Sequence, residues 1–144
     1  MRRTILFILG ALIIVLLGIG VSYFVTYYNV KTFEGLILNK DDNYEFENVI
    51  VTSYQEYQDV LEKYNGMGKL TKDDFTDKDY FVDFVPYVKD MTINDIEIEM
   101  LDKDVTIVYT IDKDVSGSNK LLVNFIPIEK GQITEFDKVE HEYN

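Results

Sequence analysis

Leu121–Ile128 reads LLVNFIPI. In an extended chain successive side chains face opposite ways, so a strand wetted on one side alternates apolar and polar residues. This stretch is apolar on both faces except at Asn124, which predicts a central strand covered on each side. Upstream, Tyr80–Val85 (YFVDFV) predicts another strand, closed by Pro86. Ile93–Met100 (INDIEIEM) has the contrasting pattern. Ile96, Ile98 and Met100 point one way while Asp95, Glu97 and Glu99 point the other, as in a half-buried strand with one wet face. Val105, Ile107, Tyr109 and Ile111 share a face of the next strand. Gln132–Val139 is a weaker last strand, followed by a polar tail, EHEYN.

Further toward the N-terminus, Ser53-Tyr54-Gln55-Glu56 is a capping box, in which Ser accepts from first-turn amides while Glu reaches back. Tyr54, Tyr57, Leu61 and Tyr64 follow at helical spacing, a stripe expected to pack as core. Gly66 and Gly68 end the helix. Thr71-Lys72-Asp73-Asp74 repeats the capping logic over a short turn ending near Phe75. Glu47–Thr52 reads as a strand, Asp41-Asp42-Asn43 as a turn, and Val30–Leu38 as a first strand or lead-in. Short links between the later strands favour antiparallel pairing. The expected fold class is α+β: an N-terminal transmembrane helix, then an antiparallel sheet of about five to six strands with one packed helix and a short second helix.

The transmembrane reading comes from Thr4–Val30, which carries no charge. Its core, Ile5–Val25, supplies the roughly 20 apolar residues that a helix needs to cross a bilayer. Arg2 and Arg3 favour a cytoplasmic N-terminus, and Tyr23, Phe24, Tyr27 and Tyr28 suit the opposite interface. Residues 1–29 are thus expected to form a stub and single-pass signal-anchor in the cell membrane. Residues 30–144 are expected to form an acidic extracytoplasmic domain. A cleaved signal peptide is the competing reading, although its apolar region is normally about 7–15 residues.

Both arginines precede the apolar run, and from Lys31 onward 12 lysines stand against 26 acids. That balance excludes a nonspecific nucleic-acid binder, which needs a basic surface. It leaves open solubility by mutual repulsion, a cation ligand or a basic protein partner at the outer face. Cysteine is absent, so packing alone must hold the domain together. One alanine and two prolines, with abundant Ile, Lys, Asn and Tyr, point to an AT-rich bacterial genome.

Catalytic signatures are missing. The single histidine, His141, lies in the tail and is expected to be mobile and solvated. There is no Gly-x-Ser-x-Gly and no phosphate-cradling glycine loop. A carboxylate-dependent hydrolase stays as an alternative only because acids abound. Asp-Lys-Asp recurs at Asp77/Asp79, Asp102/Asp104 and Asp112/Asp114. The last continues through Ser116 and Gly117, matching the first positions of a calcium loop, so Asp112, Asp114 and Ser116 are candidate weak calcium ligands. The match fails at position 12, which is Val123, and the same residues are ordinary turn formers.

Thr52–Asn124, with its capped helix SYQEYQDVLEKYN, the turn TKDDF and the strand DYFVDFVPY, resembles small extracytoplasmic domains of low-GC Gram-positive bacteria. It is faintly similar to the C-terminal domain of the protease-stabilising subunit PrcB. The resemblance implies a non-enzymatic accessory domain and carries over no site residues. The leading expectation is an accessory or binding domain that contacts another protein at the cell surface.

Overall fold

The structure is a computed structural model that describes the backbone of residues 24–28 and all of residues 36–144. Its strands are β1 (Phe24–Tyr28), β2 (Leu36–Asn39), β3 (Val49–Val51), β4 (Lys78–Tyr87), β5 (Ile93–Leu101), β6 (Asp104–Ile111), β7 (Lys120–Glu129) and β8 (Lys138–Tyr143). One helix, α1 (Tyr54–Lys63), and a short 3-10 turn (Lys72–Phe75) separate β3 from β4.

The strands form two four-stranded sheets instead of the single sheet expected. Sheet A has the order β1-β5-β6-β8 and sheet B the order β2-β7-β4-β3. Only β5 and β6 make a two-residue hairpin, turned at Asp102 with φ 54°. The links from β4 to β5, from β6 to β7 and from β7 to β8 each carry the chain from one sheet to the other. A short link therefore does not imply pairing here. The last crossing also brings β8 in parallel to β6, against the antiparallel expectation.

Sheet B is the middle layer. Its hub is the antiparallel β4–β7 pair, in register from Lys78↔Glu129 to Tyr87↔Lys120. Phe81, Val85, Leu122, Ile126 and Ile128 face sheet A and meet Ile96, Ile98, Val105 and Ile107. Tyr80, Val82 and Val123 face the other way, against Tyr57, Leu61, Tyr64 and Phe75. Burial on both faces is why YFVDFV and LLVNFIPI are almost unbroken apolar runs. Among the described residues sheet A is covered on one face only, and INDIEIEM alternates accordingly.

Helix α1 begins where its capping residues place it. The Ser53 hydroxyl accepts from the Glu56 amide at 3.2 Å, and the Glu56 carboxylate accepts from the Thr52 amide at 2.7 Å. After the helix, a Cβ on Gly68 would fall 1.5 Å from the buried Tyr57 hydroxyl, so this close approach of backbone to ring admits only glycine.

The expected membrane anchor is corrected. Phe24, Tyr27 and Tyr28, read as the interfacial end of a helix, lie in β1, which pairs antiparallel with β5 from Phe24↔Met100 to Tyr28↔Ile96. FVTYY is rich in aromatic and β-branched residues that favour extended backbone, and here its pairing groups are met by a neighbouring strand. No helix among the described residues is long and apolar enough to cross a membrane. The single-pass, membrane-anchored reading thus loses its support. Arg2, Arg3 and Tyr23 lie outside the described residues.

Candidate functional site

Among the described residues sheet A leaves one face uncovered, and the registers fix what that face displays. Glu97 lies across from Val108, which lies across from Glu142. Glu99, Thr106 and Glu140 make the adjacent row, and Asp95 pairs with Thr110 beyond Glu97. Asp104 sits between Leu101 and Lys138 at the opposite end. The result is a surface with Thr106, Val108 and Thr110 along β6 and carboxylates on the strands to either side. Asp104, Glu140 and Glu142 are exposed, while Asp95, Glu97 and Glu99 are half-exposed. The one basic side chain of these rows, Lys138, is engaged by Glu140. Like charges so close raise the negative potential over the face and favour a cationic partner.

The inward face holds a second cluster. Asp83 and Asn124 are direct partners across the β4–β7 pair, and both point into the layer between the sheets, 0% and 1% exposed. A buried carboxylate requires bonded partners. Asp83 accepts from the Tyr109 hydroxyl at 2.5 Å and from the Asn48 amide at 2.7 Å, and it lies 2.8 Å from Nε2 of His141. Tyr109 is fully buried on β6, whereas His141 on β8 keeps about a quarter of its side chain in water. The rings of Tyr109, His141 and Tyr143 stack side by side along the β6–β8 edge. The Asn124 amide nitrogen has no hydrogen-bond partner, although the side chain lies close enough to the Tyr109 hydroxyl to oppose the rise in its pKa.

Burial and the nearby Asp83 charge push the Tyr109 hydroxyl well above the usual tyrosine range, and the same two causes raise Tyr143 to about 12. For His141, burial disfavours the charged ring, but the hydrogen bond and the charge of Asp83 together outweigh it and raise the pKa above 6.5.

Known protein families, curated proteins and solved structures yield no match to this chain. The likeness of Thr52–Asn124 to the PrcB domain thus rests on its apolar spacing alone.

The calcium-loop residues sit in the link between β6 and β7. Asp112 accepts from the Thr92 amide at 2.7 Å. Asp114 accepts from the amide and hydroxyl of Ser116 at 2.8 and 2.6 Å, and these bonds lower its pKa. Asp114 thus stabilises its own turn, and Asp112 ties the β6–β7 link to the residue before β5. No group of three or more His, Cys, Asp or Glu side chains that could hold a metal ion converges among the described residues. Of the other Asp-Lys-Asp pairs, Asp102 turns the β5–β6 hairpin. Asp79 is buried and accepts from the Gly131 amide and from Lys130.

Sequence reasoning placed His141 in a solvated tail, yet it belongs to a strand and bonds a core carboxylate 58 residues away. The available signal was the lone polar residue inside each apolar run, Asp83 in YFVDFV and Asn124 in LLVNFIPI. A polar group in a strand covered on both faces demands partners. His141 and Asp83 together form the carboxylate–imidazole half of a hydrolytic triad, but no Ser or Thr hydroxyl among the described residues bonds the imidazole.

Proposed function

We propose that this domain is a non-catalytic binding module that receives a basic protein partner on the outer face of sheet A. The observation that carries the reading is the set of carboxylates Asp95, Glu97, Glu99, Asp104, Glu140 and Glu142, set by strand register on one face of the sheet with a single, already engaged lysine. Strand pairing fixes the backbone spacing of these charges, which favours electrostatic recognition over diffuse attraction. The chain-wide charge of −12 would steer a cationic surface toward it.

The test is site-specific photocrosslinking from position 106 in the full chain, with position 55 on α1 as control, in wild type and in an E97K/E99K variant. The reading predicts capture of a protein through a lysine- or arginine-rich segment at position 106 alone, weakened by salt and lost in the variant. Equal capture from both positions, or capture indifferent to charge reversal, would refute it.

A further inference from the structure

His141 is the only histidine in the chain, and it reaches from an edge strand of sheet A to a carboxylate of sheet B. We infer that the His141–Asp83 pair is a pH-sensitive latch that fastens β8 to the sandwich when the imidazole is protonated and slackens it when the imidazole is neutral. The inference concerns the fold itself and stands whether or not the outer face of sheet A binds a partner.

The geometry supports it from several sides. Among the described residues β8 is an edge strand bonded to β6 alone, and most of its residues are exposed. Val139 and His141 are its half-buried residues, so the strand has few apolar contacts to hold it. Of its side-chain bonds, the one from His141 to Asp83 joins it to the opposite sheet. Among the described residues four groups face this pair. They are Tyr109 from β6, Asn124 from β7, Asn48 from the segment before β3, and Tyr143 from β8 itself. Both tyrosines have raised pKa values, so neither loses its proton in the neutral range. That leaves the imidazole as the adjustable partner of Asp83.

The direction follows from linkage. Folding raises the His141 pKa, so its contribution to β8 docking is complete below the unfolded value of about 6.5 and declines as pH rises through the folded value. Above that, the neutral ring can still donate one hydrogen bond, but without the charge that makes such a bond roughly twice as strong. Release of β8 would uncover the edge of β6, a row of unpaired backbone groups able to accept another strand.

The experiment uses the full chain and two readings taken together. Nuclear magnetic resonance follows the single imidazole from pH 5 to 9, and hydrogen exchange over residues 138–144, corrected for intrinsic rates, follows the strand. The latch predicts an imidazole midpoint above 6.5. It also predicts protection of β8 falling roughly threefold or more through that midpoint, and about tenfold if the midpoint lies near 7.5. Protection of β4 and β7 should stay constant, and H141Q should be weakly protected and flat with pH. A midpoint at or below 6.5, wild-type β8 protection independent of pH, or unchanged pH dependence in H141Q would each overturn the inference. The wild-type titration decides the matter even if H141Q fails to fold.

Discussion

The two apolar layers on either side of sheet B are built from different materials. Between the sheets the filling is aliphatic, chiefly Ile, Val and Leu, with Asp83 and Asn124 set into it. Between sheet B and α1 it is aromatic, with Tyr57, Tyr64, Phe75, Tyr80, Phe84 and Phe125 meeting edge-on or tilted. Two pleated sheets leave an even gap that branched side chains fill by interdigitation. Against the helix, rings supply large apolar areas and pair edge-on or tilted. The layers also treat polar atoms differently. On the helix side, the Tyr64 hydroxyl escapes to the rim and donates to the Glu45 carbonyl at 2.9 Å. Between the sheets, the Asp83 carboxylate gathers the Tyr109 hydroxyl, the Asn48 side chain and His141, while the Asn124 amide nitrogen is left without a partner. The aromatic layer should therefore tolerate the loss of a polar atom that the aliphatic layer cannot.

Substitutions can test that contrast. The largest effect is expected from Asp83→Ala. It removes the shared acceptor and leaves the Tyr109 hydroxyl buried without its partner, at a cost of about 3–5 kcal/mol. Urea unfolding measures it, and a loss below about 1 kcal/mol would mean that the inter-sheet network does not depend on staying paired. Tyr109→Phe removes one donor to a charged acceptor and should cost about 1.5–3 kcal/mol. On the helix side, Gly68→Ala drives a methyl into the Tyr57 ring and should cost about 1–3 kcal/mol, read as a lower thermal midpoint. Ser53→Ala removes the cap of α1 and should cost about 1 kcal/mol. If Tyr64→Phe, which loses only a rim bond, proved as harmful as Tyr109→Phe, the distinction between the layers would fail.

Local signals were legible in the sequence and global ones were not. The alternation of Ile96 and Ile98 with Glu97 and Glu99, the cap at Ser53 and the double-sided apolar run at Leu121–Ile128 each depend on neighbours a few residues away. The division into two sheets depends on pairings such as Leu36↔Val123 and Phe24↔Met100, which periodicity does not encode. The N-terminal run shows the conflict most clearly. Its apolar length reads as a spanning helix, but at Phe24–Tyr28 a partner strand sets the conformation. The partners in the Asp83 cluster were hidden for the same reason, although Asp83 and Asn124 stand out as lone polar residues in apolar runs. The cluster draws on β4, β6, β7, β8 and the segment before β3, and nothing in any one of them points to the others. The acidic face was half legible, because β5 displays its carboxylates by alternation while their partners on β8 sit in what reads as a polar tail.

The order of strands in sheet B has a consequence for how the chain is made. Strand β4 needs β7 to cover its flank, and the far end of that pairing, Lys78 with Glu129, spans 51 residues. Between them lies the β5–β6 hairpin, whose pairing is local and needs no wait. During synthesis, β4 thus leaves the ribosome well ahead of the strand that completes it, with apolar side chains on both faces and one edge open. Non-local pairing of this kind folds in milliseconds to seconds, not microseconds. Over that interval the nascent β4 is the segment most in need of shielding, so a holding chaperone would be expected to engage it there and let go once β7 is in place.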